Sequence, residues 1–220
     1  MQGLEIEKLY KTRFSTLERA KKELIWQVLC KDFFQKWIPE NSTVLELAAG
    51  YGEFICNIKA ANKIAVDLNT ETPKLLSKDI KFLNTSALDL SALPDNSIDI
   101  VFSSNFFEHL HTKDEMSCVL KESHRVLKKG GRYLSLQPNL KYIGEAYWDF
   151  YDHELPLTHL SAKEAFERAD FQTEVLFPRF LPYTMKSRIP QSPHLVKLYL
   201  KIPLIWQIMG KQFFLVAQKK

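Results

Sequence analysis

The sequence predicts an α/β protein with a nucleotide-type crevice, and three observations predict it. Thr43–Phe54 (TVLELAAGYGEF) sets the apolar run Val44, Leu45 and Leu47 directly before Ala48-Ala49-Gly50-Tyr51-Gly52. The run suits a strand buried on both faces, and the small residues allow a tight turn that a ligand can approach closely. Beyond it, Lys63–Leu68 (KIAVDL) reads as a second strand ending in Asp67, where an acid accepts hydrogen bonds from ribose hydroxyls. Strand-type and helix-type segments then alternate to the end of the chain.

Before the first strand, Thr16–Trp37 follows Ser15 and carries Leu17, Leu24, Ile25, Val28, Leu29, Phe33 and Phe34 on one face, which predicts a helix ended by Pro39. After the glycines, Glu53–Ala60 reads as the first turns of another helix. Thr70–Lys78 reads as a short helix, Ile80–Asn84 as strand three and Ile98–Ser103 as strand four. Lys113–Lys128 has Met116, Val119, Leu120, His124 and Leu127 at helical spacing, with Lys128-Lys129-Gly130-Gly131 as its C-terminal stop. His124 is read as packed or surface. Pro138–Pro156 is a long aromatic stretch containing Asp149, Asp152, His153 and Glu154. A loop of that kind beside strand ends is usually functional, while Tyr142, Tyr147 and Trp148 read equally well as a plug. His159-Leu160-Ser161 caps a helix over Ala162–Ala169, and strands follow at Gln172–Phe177 and Gln212–Ala217. Between these strands, His194–Met209 is mostly apolar but interrupted by Lys197, Lys201 and Pro203, which disfavours one continuous helix.

Composition bounds the classes. The 220 residues suffice for one substantial domain, and 45% apolar with 25% charged residues is ordinary for a globular chain. Cys30, Cys56 and Cys118 are scattered and odd in number, as expected of reduced thiols in a cytoplasmic protein. MQGLEIEKLYKTRF lacks the apolar core of a signal peptide, and no run of about eighteen uncharged apolar residues suggests a membrane span. The net charge of +4 hides an asymmetry: no acid follows Glu174, while Arg179, Lys186, Arg188, Lys197, Lys201, Lys211, Lys219 and Lys220 are basic. An anionic partner would meet that end.

Glycine spacing narrows the ligand. In the dinucleotide pattern G-x-G-x-x-G the third small residue would fall on Glu53, so NAD and FAD are disfavoured. With Glu46 ahead of the turn, VLELAAGYG instead resembles motif I of class I S-adenosylmethionine-dependent methyltransferases, usually hydrophobic-L-[DE]-x-G-x-G-x-G. Ala48 stands at the first glycine and Ala49 where cysteine or threonine is common. Alanine suits that position provided its backbone keeps a negative φ. Thr85–Asp99 (TSALDLSALPDNSID) is similar to the family's GDAxxLPFPDNSFDxV, and RVLKKGGRYLSLQPN to its RxLKPGGxLxxxxPN connection into strand five.

The resemblance covers Ser42–Pro138 and is to methyltransferases of type 11, with a C-terminal third similar in kind to bacterial enzymes of surface-glycan or lipid pathways. It implies a Rossmann-like fold: a central seven-stranded, mostly parallel sheet, last strand antiparallel, helices on both faces. A single domain over 1–220 is expected, with a helical packing or lid segment at 1–40, a cofactor-binding half at 41–137 and an acceptor-side half at 138–220. In the lid reading, Tyr10 and Arg13 fold over the cofactor. S-adenosylmethionine is the implied cofactor, with contacts from Glu46, Ala48, Gly50, Gly52, Asp67, Leu68, Ser86, Ala87, Leu88 and Asn105. The family's adenine-binding acid falls near Ser86, so either Ser86 or Asp89 takes that task.

Methyl transfer from a sulfonium is an in-line displacement in which positioning and desolvation supply most of the acceleration. A base is needed only when the acceptor must lose a proton. His109, at the end of strand four, is the first candidate, and His153 with Asp149 or Asp152 the second. Asn105-Phe-Phe-Glu108-His109 also resembles the E-x-x-E-H segment that binds a divalent metal in small-RNA 2′-O-methyltransferases and some quinone O-methyltransferases. Asn105, a weaker neutral ligand, replaces its first acid, and no metal is expected. The acceptor is read as a small molecule or a lipid- or carrier-linked group such as a sugar hydroxyl, and 178–210 as a helical cover or a segment touching the inner membrane face. An RNA methyltransferase and a non-catalytic binding module are the competing readings.

Overall fold

A computed structural model describes residues 16–183 and 192–220. The expectations placed on Tyr10 and Arg13 lie outside these residues, as do Lys186 and Arg188 of the basic stretch. Seven strands form one sheet in the order β3-β2-β1-β4-β5-β7-β6: β1 Thr43–Leu47, β2 Asn62–Val66, β3 Ile80–Leu83, β4 Ile98–Ser104, β5 Leu127–Pro138, β6 Phe171–Phe177 and β7 Gln212–Lys219. β1 with β2, β2 with β3, and β4 with β5 are parallel. β7 runs antiparallel to both β5 and β6. The expected sheet is therefore present, with its last strand reversed.

Two compact units divide the chain, one within Met1–Ser86 and Ile189–Ile202, the other within Ala87–Arg188 and Pro203–Lys220. In the first, β1 buries Val44, Leu45, Glu46 and Leu47, as a strand covered on both faces must. Helix α1, Thr16–Asp32, buries Trp26, Leu29 and Cys30, while Leu24, expected on the same face, is exposed. Its predicted last turns are a separate 3-10 turn, Phe34–Trp37, whose Phe34 packs on Trp26 and Phe54 at 6.0 and 5.9 Å between ring centroids.

Three local expectations fail. Glu53–Ile58 forms turns rather than a helix: Cys56 N–H reaches Gly52 O and Ile58 N–H reaches Phe54 O at helical spacing, Ile55 N–H goes to the buried Glu46 carboxylate at 3.0 Å, and the turns go no further. Ile55 and Ile58 are β-branched poor helix formers, and β2 begins before a longer helix could propagate. Thr70–Lys78 likewise contracts to one 3-10 turn, Thr72–Lys74.

The third failure lies in the second unit, where helix α2, Lys113–Val126, starts on a Thr112 cap and stops before Lys128-Lys129-Gly130-Gly131. Those residues belong to β5, where register jumps from Ile98↔Leu127 to Ile100↔Arg132. Gly130, at φ 78°, makes the insertion a bulge instead of a helix stop. Helix α3, His159–Arg168, is capped by Thr158, with Ser161 returning the bond as the reciprocal member of a capping box. A core of Phe107, Tyr133, Phe166 and Phe171 holds α3 against the sheet. The apolar stretch after 192 is broken at Pro203 into α4, Pro193–Leu200, in the first unit and α5, Pro203–Met209, in the second.

Candidate active site

In the first unit, the turn after β1 is fixed by the acid that follows β2. Asp67 is buried, and its two carboxylate oxygens accept from Gly50 N–H at 2.6 Å and Asn69 N–H at 2.7 Å. Thr72, fully buried, donates its hydroxyl to Gly50 O at 2.8 Å, and Asn84 donates to Asp67 O at 2.9 Å. The loop and the acid are thus a single hydrogen-bonded piece. Burial raises the Asp67 carboxyl pKa, against the lowering effect of the Asn69, Gly50 and Leu68 amides. Gly50 and Gly52 both take positive φ, 55° and 75°. A Cβ on Gly52 would also sit 2.4 Å from the Leu76 side chain.

Ala48 corrects an expectation: its φ is 51°, in the left-handed region, where alanine is strained and glycine is not. Glu46 is buried, accepts from Ile55 N–H, and is held well above the usual carboxyl range chiefly by burial. Leu68, beside Asp67, is 43% exposed, an apolar surface next to a hydrogen-bonding acid. Ser86 is half-buried at the end of this unit. The set fits an adenosyl ligand. A carboxylate has about four acceptor sites, more than the Gly50, Asn69 and Leu68 amides take up, and the Leu68 side chain offers an apolar face.

The second unit carries Ala87, Leu88 and Asn105. Ala87 is buried, and Leu88 O accepts from the Cys118 thiol at 3.4 Å. Asp89, the alternative to Ser86, accepts from Ser91 N–H at 3.0 Å, and the Ser91 hydroxyl and amide lower its pKa. Asn105, at φ 46°, accepts from the Gln212 amide at 2.6 Å. Gln137 supports the same turn: its Oε1 accepts from Phe106 N–H at 2.9 Å, and its Nε2 donates to Ser103 Oγ at 3.1 Å.

The titratable group after β4 meets the aromatic stretch after β5. Glu108 O accepts from Glu154 and Leu155 N–H at 2.7 and 3.2 Å, bringing the two segments together. His109 Nδ1 lies 3.1 Å from both Asp152 Oδ2 and Asp152 O. His153 is buried, with Nδ1 2.9 Å from Tyr147 O and its ring 5.3 Å from that of His109. Burial pulls the His109 pKa down, but the Asp152 hydrogen bond and the Glu108 and Asp152 charges outweigh it, so the pKa is raised. Glu108 is pushed up to about 7, mainly by desolvation.

Asp149 is exposed, and the carboxylate that meets His109 is Asp152. Tyr147 is buried as a plug and donates to Leu155 O at 2.7 Å, whereas Trp148 is 56% exposed. Thr72, Gln137 and Glu108 escaped the sequence reading as site residues. Thr72 and Gln137 meet their partners 22 and 31 positions away, and only the N-x-x-E-H spacing hinted at Glu108.

Residues 45–135 match a family model described as a methyltransferase domain. A methyltransferase-like protein of Schizosaccharomyces pombe is 32% identical over 133 residues, 57% of this chain and 49% of that protein. The ubiquinone/menaquinone biosynthesis C-methyltransferase UbiE of Rickettsia akari is 33% identical over 145 residues, 56% of this chain and 55% of that protein. The chain thus spans about half the length of the curated relatives it matches. An S-adenosylmethionine-dependent methyltransferase of Thermotoga maritima superposes with a TM-score of 0.67 at 18% identity, covering 93% of this chain and 94% of that one. Residues 45–135 thus match a methyltransferase-domain model, and the sheet they contribute to has the fold of the methyltransferase structure on which the chain superposes.

Proposed function

We propose that this protein transfers a methyl group from S-adenosylmethionine to a hydroxyl-bearing acceptor, with His109 receiving the acceptor's proton. The observation that carries the reading is the His109–Asp152 pair. A backbone carbonyl only accepts hydrogen bonds, so Asp152 O at 3.1 Å fixes the proton on Nδ1 and leaves the lone pair on Nε2. The Asp152 carboxylate then stabilises the imidazolium that forms.

Bound S-adenosylmethionine supplies an electrophilic methyl whose C–S bond breaks with its electron pair remaining on sulfur. Asp67 and the turn it holds would bind the ribose, with Gly50, Gly52 and the strained Ala48 shaping the approach, Leu68 facing the adenine, and Ser86 or Asp89 completing that end. Glu46 supports the turn from beneath through Ile55. Ala87, Leu88 and Asn105 are likewise proposed as cofactor contacts. His109 takes the hydroxyl proton as the new bond to the methyl carbon forms. His153 orients the neighbouring ring, and Asp149 is proposed as an acceptor contact at the exposed end of the aromatic stretch.

The acceptor we favour is small, or linked to a lipid or carrier. The R. akari relative is named for C-methylation in quinone biosynthesis, and loss of a hydroxyl proton activates an adjacent ring carbon as well as the oxygen itself. The acid-free stretch after Glu174 and the exposed Leu204 and Ile208 on α5 support delivery from an anionic lipid surface.

Calorimetric titration with S-adenosylmethionine and S-adenosylhomocysteine tests the cofactor half of this reading. Wild type should bind with micromolar or tighter affinity and Asp67→Ala should lose binding; no binding by folded wild type overturns it. Product analysis with phenolic, sugar and lipid-linked hydroxyl acceptors tests the rest, with His109→Gln expected to lower kcat about 100-fold or more.

A further inference from the structure

Among the described residues, one set of ligand-type side chains converges. Glu108, His109 and His153 each present a ligand atom, and these atoms lie within 4.8 Å of one another. Glu108 is 3% exposed, and its Oε2 has no hydrogen-bond partner. A buried carboxylate oxygen left that way is costly unless something positive occupies its lone pairs.

The two rings are prepared for the same occupant. His109 Nδ1 is engaged by the Asp152 carbonyl and carboxylate, and His153 Nδ1 by the Tyr147 carbonyl at 2.9 Å. In both rings the carbonyl places the proton on Nδ1 and the lone pair on Nε2. Ligating histidines are held this way, the distal N–H anchored to a carbonyl or carboxylate that fixes tautomer and orientation. Asn105, on which the expectation of no metal rested, takes no part in the set, since its Oδ1 accepts from Gln212.

We propose that Glu108, His109 and His153 bind a divalent first-row transition ion, with Zn²⁺ as the best fit. Two imidazole nitrogens with one carboxylate oxygen are the donors such ions prefer, whereas Mg²⁺ and Ca²⁺ favour all-oxygen sets. Three ligands bonded at about 2.1 Å around one ion lie about 3.4–3.6 Å apart, so atoms that now lie within 4.8 Å of one another close by up to about 1 Å when the ion binds. Three protein ligands leave a position open for the acceptor's hydroxyl, which an ion acidifies as it does bound water. The inference rests on the acceptor reading above and replaces only its base: with an ion bound, His109 Nε2 would be a ligand, and the hydroxyl acidified by the ion would lose its proton to solvent water before the methyl is transferred.

The test is metal binding by the chelator-stripped, refolded-free native chain, followed by calorimetry with Zn²⁺ and by the visible spectrum with Co²⁺. We expect one ion per chain, a Co²⁺ spectrum of low coordination number, a raised Tm, and at least a tenfold loss of affinity in Glu108→Gln and His153→Gln. Asp152→Asn leaves all three ligands in place and should weaken binding about 10- to 100-fold; it decides the matter if either ligand variant loses its native circular dichroism. Absence of metal binding by the folded wild type, or undiminished binding in these variants, overturns the inference. Cofactor titration of the same stripped sample separates the two claims. Retained S-adenosylmethionine binding without metal binding overturns only the ion, and metal binding without cofactor binding overturns only the methyl-transfer reading.

Discussion

Replacing Ala48 with glycine removes a Cβ from a residue at φ 51°. The left-handed conformation costs an L-residue about 1–2 kcal/mol, and glycine's extra unfolded-state freedom returns about 0.5–1 kcal/mol of that. Ala48→Gly should therefore stabilise the chain by about 0.5–1 kcal/mol, seen in urea unfolding as a higher midpoint at unchanged slope. Glu46 gives a pH dependence whose sign is fixed by burial. Its folded pKa lies above its unfolded value, so the stability contributed by its proton is complete at acid pH below the unfolded pKa and is lost as pH rises through the folded one. Glu46→Gln keeps an acceptor for Ile55 N–H without the charge. Its melting temperature relative to wild type should rise steadily from acid to alkaline pH, and a constant difference would contradict the assignment. At this scale the sequence disclosed the residue types of the turn but not their conformations: Ala48 satisfies the motif by size while violating the backbone condition that size was meant to guarantee.

At the scale of elements, the bulge at the start of β5 makes a paired prediction. A Cβ on Gly131 would meet Lys128 O, Asp99 O and Leu127 Cδ2 at 2.9, 3.0 and 3.1 Å, whereas one on Gly130 meets nothing within 4 Å. Gly131→Ala should cost about 1–3 kcal/mol through overpacking, and Gly130→Ala about 1 kcal/mol through its positive φ alone. Were this segment a helix stop, the order would have no reason to hold. Strands were legible because runs such as Val44–Leu47 and Ile100–Phe102 are buried on both faces and so carry their pattern in every residue. The helix expected after the glycines was not, because β2 begins at Asn62, too soon for its turns to propagate. Nor was the His109–Asp152 pair, whose members are separated by 43 positions and meet only through the turn of the aromatic stretch.

Over the whole molecule, the charge distribution leads to a test in which activity plays no part. No described helix is long and apolar enough to cross a membrane, yet Leu204 and Ile208 are 80% and 76% exposed within a stretch that carries no acid. Co-sedimentation with anionic vesicles should be clear at low ionic strength and fall as salt is raised, since exposed charges are screened. Leu204→Glu with Ile208→Glu should abolish it at every salt concentration. Vesicle binding that ignores both the salt and the substitutions would refute the lipid-delivery reading. The fold itself was the most legible feature, because the motifs spread over Ser42–Pro138 carry a resemblance that implies a seven-stranded, mostly parallel sheet with its last strand reversed.

The tie between Gly50 and Asp67 has a consequence for exchange with solvent deuterium. An amide in an irregular glycine turn ordinarily exchanges within seconds, whereas the Gly50 N–H is bonded to a buried carboxylate that Asn69 also holds, in a turn fastened by Thr72. Its protection should therefore match that of the flanking β1 amides, and it should open only when that strand does. A turn that already behaves as part of the strand has little left to order when an adenosyl group arrives, so association there is expected to be fast and to carry a small conformational-entropy penalty.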